Sequence, residues 1–130
     1  MEAVVLAGGF GTRLRSVVSD VPKPMAPIAG RPFLERLLGS LARRGVTRAV
    51  LSLGYMADVI QAHFGSRYQG IDLVCEVETT PLGTGGALKK ALARVQGDAA
   101  LVVNGDTWLD FDLAALHARR QRDRRPLIIG

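Results

Sequence analysis

Short apolar runs alternate along this chain with segments whose apolar residues recur at helical spacing. Residues 3–7 form an unbroken apolar run and read as a buried strand, and Gly8, Gly9 and Gly11 follow as a loop. Pro22, Pro24 and Pro27 make residues 20–31 extended and non-helical. Phe33, Leu34, Leu37, Leu38 and Leu41 share one helical face, with Glu35, Arg36, Arg43 and Arg44 off it and Gly45 as the stop. Residues 49–53 predict a second strand. Met56, Val59, Ile60 and Phe64 predict a second helix closed by Gly65. Residues 71–77 alternate as a third strand, 78–86 form a Gly/Thr/Pro loop, and 87–95 predict a third helix. Residues 99–103 predict a fourth strand running into Asn104-Gly105-Asp106, and residues 112–122 a fourth helix. Residues 127–129 are an apolar stub.

Strands alternating with helices predict an α/β fold: a Rossmann-like, mostly parallel sheet with helices on both faces, in one domain spanning 1–130. Ligands of such sheets sit outside the carboxyl ends of the strands. Three loops follow strand ends, at 8–15, 78–86 and 104–108, and all are rich in Gly or short polar residues. The stub at 127–129 reads as a strand with nothing after it to cover its edge, so an N-terminal piece of a longer domain is expected.

Composition narrows the function classes. The 130 residues are 48% hydrophobic and 22% charged, ordinary for a globular domain and unlike a disordered or collagenous chain. No apolar run approaches the roughly 20 residues of a membrane helix, and the start lacks a signal-peptide pattern. Cys75 is the single cysteine, which excludes an internal disulfide and predicts a reducing, cytoplasmic setting. His63 and His117 are too few and too far apart for a Cys/His zinc site. The net charge of +5 is local: Arg119, Arg120, Arg122, Arg124 and Arg125 stand against Asp123, and the rest of the chain holds 12 basic and 11 acidic residues. That cluster reads as a solvated helix face, so neither nucleic acid nor a membrane is an expected partner.

The chemistry lies in the loops. In Leu6-Ala7-Gly8-Gly9-Phe10-Gly11-Thr12-Arg13-Leu14, glycines directly after a strand let backbone N–H groups approach phosphate oxygens. The spacing is neither a dinucleotide fingerprint, since Leu14 stands where Gly or Ala is needed, nor a P-loop, which requires Gly-Lys-Ser/Thr. Arg13 offers a guanidinium suited to phosphate; its plain alternative is a surface arginine. Lys23 is held between Pro22 and Pro24, a point charge on a fixed base; its alternative is a solvent lysine. Asp106 follows the fourth strand and is a candidate Mg²⁺ ligand beside a nucleotide, or else a turn aspartate. Glu78 could accept both N1–H and N2–H of guanine, or be a surface glutamate at a strand end. Cys75 reads as a small buried hydrophobe, His63 and His117 as surface or cap residues without partners, and Asp110 and Asp112 as helix caps.

In their order and spacing the glycine loop, Pro22-Lys23-Pro24-Met25, Pro81-Leu82-Gly83-Thr84-Gly85-Gly86-Ala87 and Asn104-Gly105-Asp106 resemble the sugar-1-phosphate nucleotidyltransferases. The branch they resemble most is the D-glycero-D-manno-heptose 1-phosphate guanylyltransferases of surface-polysaccharide synthesis. The resemblance covers nearly the whole chain. It implies transfer of a guanylyl group from GTP to a sugar 1-phosphate, with Mg²⁺, releasing pyrophosphate; the alternatives are a uridylyl- or cytidylyltransferase of the same family, or a non-catalytic nucleotide-binding module or fragment. It implies that Leu6, Ala7, Gly8 and Gly9 border the base and ribose, and that Gly11, Thr12 and Arg13 wrap the triphosphate. Arg13 and Lys23 match the phosphate-binding cations and Asp106 the first Mg²⁺ carboxylate, so these three would be the catalytic residues. Glu78 and Gly83 match positions that touch the base, and Glu at 78 is typical of guanylyl members. The chain departs from many relatives at Arg15-Ser16, which matches the heptose branch. It is also shorter than the family's catalytic domains, whose second Mg²⁺ carboxylate and most sugar contacts lie in the part not present.

Overall fold

The fold is described from a computed structural model over residues 1–8, 21–108 and 110–127. Four parallel strands form its centre. β1 (Glu2–Ala7) lies between β4 (Arg48–Leu53) and β7 (Ala100–Asn104), and β6 (Ile71–Val77) lies beyond β4. A two-residue strand, β5 (Arg67–Tyr68), pairs antiparallel with β6 and gives the order β5-β6-β4-β1-β7. Parallel neighbours need crossovers, and α1 (Phe33–Arg43), α2 (Ala57–Phe64) and α3 (Gly83–Leu92) lie in them. α4 (Leu113–Asp123) follows β7.

Burial explains the sequence pattern. β4 is buried at every position from Ala49 to Leu53, because it has a strand on each side and helices on each face. Such strands read as continuous apolar runs rather than alternations. Successive side chains nevertheless point to opposite faces. Ala3, Val5, Ala7, Ala49, Leu51 and Leu53 meet α1, α2 and the start of α4, whereas Val4 and Val50 meet Ala91 and Leu88 of α3. On α1 the buried residues Leu34, Leu37, Leu38 and Leu41 repeat at helical spacing and form the stripe the sequence predicts.

Several expectations change. The third helix begins at Gly83 and ends at Leu92, so it takes in the second half of the loop expected at 78–86. Residues 20–31 are not extended throughout. Lys23–Met25 close a single 3-10 turn, with Met25 N–H donating to Pro22 O at 2.8 Å, and a hairpin of β2 (Pro27–Ile28) and β3 (Arg31–Pro32) follows. His63 is not without a partner: its Nε2 lies 2.8 Å from Glu35 Oε1, joining α2 to α1. Asp112 caps α4 by accepting from Ala115 N–H at 3.0 Å. Asp110 is no cap, because its carboxylate binds Arg44 at 2.9 Å. Cys75 is half-buried, and burial pushes its thiol up from the ordinary value despite a hydrogen bond with Gln61. Most of the stub at 127–129 lies outside the described residues, and Leu127 belongs to no strand.

Candidate active site

The strand order reverses beside β1. The chain steps outward from β1 to β4 and β6, then returns to place β7 on β1's other side. That switch point opens a crevice at the carboxyl ends of the strands, where ligands of such sheets bind. A cleft of about 360 Å³ lies there. Leu6, Ala7 and Gly8 line it from β1, Asn104, Gly105 and Asp106 from β7, and Glu78 from the loop after β6. Lys23 and Pro24 close one side, and Pro81, Gly83 and Thr84 the other.

Close packing shapes the floor. A Cβ on Gly54, just after β4, would fall on the carbonyl oxygen of Gly8. A Cβ on Gly105, just after β7, would lie 2.8 Å from Ala7 Cβ and 3.2 Å from Leu6 O. The two glycines let the flanking strands close on the end of β1. Gly105 N–H donates to Leu6 O at 2.8 Å, and Glu78 N–H to Leu53 O at 2.7 Å, so hydrogen bonds extend past the strand ends.

At one end of the cleft sit Lys23 and Asp106. Pro22 and Pro24 are buried, which fixes the 3-10 turn and leaves Lys23 exposed between them. Lys23 Nζ lies 2.7 Å from Asp106 Oδ2. Thr107 Oγ1 donates to the other carboxylate oxygen at 3.1 Å. The Lys23 ammonium holds the Asp106 carboxyl below its ordinary range, partial burial opposes this, and Thr107 adds to it. Asp106 is therefore an ionised carboxylate paired with Lys23.

At the other end sit Glu78 and the start of α3. Glu78 reaches Gly8, just past β1: a Cβ on Gly8 would lie 2.5 Å from Glu78 Oε1. Glu78 Oε2 accepts from Leu82 N–H at 3.3 Å. α3 has no side-chain cap and no acid in its first turn, and its first residues, Gly83 and Thr84, line the cleft. Its first N–H groups and the positive end of its dipole thus border the ligand space.

The structure therefore brings Leu6, Ala7, Gly8, Lys23, Glu78, Gly83 and Asp106 to one cleft. Gly9, Gly11, Thr12 and Arg13 lie outside the described residues. Ser52 joins the same lining unforeseen, as do Asn104 and Thr84, which stand in the motifs above with no role of their own. Ser52 left a signal, a polar residue inside the apolar run of β4, and its side chain is buried. Among the described residues, no group of three or more His, Cys, Asp or Glu could hold a metal. Asp106 alone suits Mg²⁺ that arrives with phosphate oxygens and water, the usual mode at nucleotide sites, rather than an ion held in an all-protein cage.

Fold and cleft together define an α/β domain built like the nucleotide-binding doubly wound sheets. The model of the family described as nucleotidyl transferase matches residues 2–129, and the chain belongs to that family. It is 46% identical over 119 residues to a D-glycero-alpha-D-manno-heptose 1-phosphate guanylyltransferase of Aneurinibacillus thermoaerophilus, covering 92% of this chain and 52% of that protein. It is 42% identical to a mannose-1-phosphate guanylyltransferase of Mycobacterium tuberculosis, covering 89% of this chain and 33% of that one. Among solved structures, HddC from Yersinia pseudotuberculosis complexed with GMP-PN superposes with a TM-score of 0.77 at 42% identity, covering 92% of this chain and 53% of that one. The chain spans about half the length of the heptose-specific relatives it matches. Among the described residues, no helix is long and apolar enough to cross a membrane.

Proposed function

We propose that this chain is the nucleotide-binding part of a sugar-1-phosphate guanylyltransferase. The reaction joins GTP to a sugar 1-phosphate, in the first instance D-glycero-D-manno-heptose 1-phosphate, and releases pyrophosphate. The GDP-sugar formed is a cytoplasmic precursor for surface polysaccharide. The observation that carries the reading is the cleft's polarity: a lysine and a carboxylate 2.7 Å apart at one end, and Glu78 beside an uncapped helix N-terminus at the other. The 46% identity to a heptose 1-phosphate guanylyltransferase supports the choice of base and sugar.

The sugar phosphate oxygen attacks the α-phosphorus of GTP in line, and the bond to the pyrophosphate oxygen breaks. Such chemistry depends on positioning and charge neutralisation rather than on covalent help from the protein. Lys23 meets the charge that develops on the transferring phosphate, and Arg13 holds the departing pyrophosphate. Asp106 would hold Mg²⁺, which supplies charge neutralisation across the phosphates when bound. Glu78 accepts N1–H and N2–H of the guanine, and the α3 N-terminus borders the base end.

The test is pyrophosphate release by the protein as the cell makes it, with GTP, Mg²⁺ and heptose 1-phosphate. Lys23→Ala should lower kcat by about 10²–10³, the usual cost of losing a group aimed at the transition state. Turnover within a few fold of the parent would contradict the role of Lys23.

A further inference from the structure

Lys23 and Asp106 are 83 positions apart in sequence, yet each has the other as its ionic partner in the cleft. Each carboxylate oxygen has one partner: Oδ2 has Lys23 at 2.7 Å and Oδ1 has Thr107 at 3.1 Å. Both side chains remain open to ligands, at 42% and 38% exposure. A phosphate oxygen that binds Lys23 without a cation meets the Asp106 carboxylate beside its own negative charge. A divalent cation that binds Asp106 without a phosphate meets the Lys23 ammonium beside its own positive charge. Either ligand alone weakens the pair and adds one repulsion. The two together replace one pair with two.

We propose that the Lys23–Asp106 ion pair is a latch that couples divalent-cation binding to nucleotide binding in this cleft. It is closed when the cleft is empty and exchanged when both ligands arrive. Thr107 is its positioning residue: it keeps Oδ1, so Oδ2 is the oxygen handed from Lys23 to the cation. The latch deepens the reading above and rests on it for the nature of the ligand, a nucleoside triphosphate. The pair is half-exposed, so its own strength is modest, and the coupling lies at the low end of those known between sites, about fivefold.

The experiment is calorimetric titration of GTP into the protein as the cell makes it, in EDTA and again in Mg²⁺. The variants are Asp106→Asn, Lys23→Met and the double change, with melting curves to establish folding. In EDTA, Asp106→Asn should bind GTP about fivefold more tightly than the parent, because Lys23 is freed in advance. In Mg²⁺ the same variant should bind more weakly than the parent. The gain in EDTA should shrink in the Lys23→Met background, since no lysine remains to be freed. Thr107→Val should loosen the carboxylate and reproduce part of the gain, and Thr107→Ser should restore the parent's behaviour. No gain in EDTA, or a gain equally large without Lys23, would overturn the latch and leave plain repulsion by Asp106. If the parent binds no nucleoside triphosphate in either buffer, the functional reading and the latch fall together. Binding with an additive cycle removes the latch alone.

Discussion

Gly54 shows how much a single residue can decide here. Its missing side chain is what lets the Gly8 carbonyl lie against the end of β4, and Gly105 does the same from β7. Gly54→Ala should push Gly8 away from the end of β4. A stability loss of about 1–3 kcal/mol, the usual range for overpacking, should be seen in melting curves. Nucleotide affinity should fall with it, checked by titration. Unchanged melting and affinity would contradict this role of Gly54. Gly54 was not legible as a site residue, since a glycine after a strand reads as an ordinary turn until the neighbouring strand is known. Glu78 and Asp106 were legible because each lies just past a segment that reads as a strand. Their partners were not. The Lys23–Asp106 pair needs β7 to lie beside β1, and the contact between Glu78 and Gly8 needs the sheet order as well.

Among the elements, α3 departs furthest from its pattern. Three of its first four residues are glycines, poor helix formers, so the sequence reads as loop until Ala87. The helix nevertheless starts at Gly83, because Ala87 and Ala91 are buried on the sheet side and Glu76 anchors the opposite end. Glu76 on β6 binds Arg94 at 2.7 Å and Lys90 at 3.1 Å. The hydrogen bonds from Arg94 and Lys90 hold its carboxyl below the ordinary value, against a smaller effect of burial. A lowered folded-state pKa gives stability that is complete above the ordinary carboxylate value. It is lost as pH falls through that value and then through the lowered one. Melting temperature should therefore drop on acidification below the ordinary glutamate range, and Glu76→Gln should flatten that part of the profile. An unchanged profile would show that the anchor contributes nothing. The long elements were legible because α1, β4 and β6 carry enough apolar positions to fix their period. The two-residue strands β2, β3 and β5 were not, since two residues have no period to read.

For the whole molecule, alternation of strands and helices was enough to give the fold class, and the rule for parallel sheets pointed to the strand ends, where the cleft lies. Which strands neighbour β1 was beyond the pattern, because apolar runs of similar length pair equally well in any order. The basic cluster fits the plain reading. Arg119 and Arg122 are exposed on α4 and pair with Asp123, and Arg120 reaches Asp98 O. Under the proposed function one cleft holds a phosphate end and a guanine end, and the base end distinguishes this chain from nucleotidyl transferases of other base preference. Parallel titrations of GTP, ATP, CTP and UTP in Mg²⁺ test it most directly, on the parent and on Glu78→Gln. The account predicts that GTP binds tightest to the parent. Glu78→Gln should lose about 10- to 100-fold in GTP affinity, the worth of a hydrogen-bonded charge, and little for UTP. Equal binding of all four nucleotides, or a preference for UTP, would contradict it.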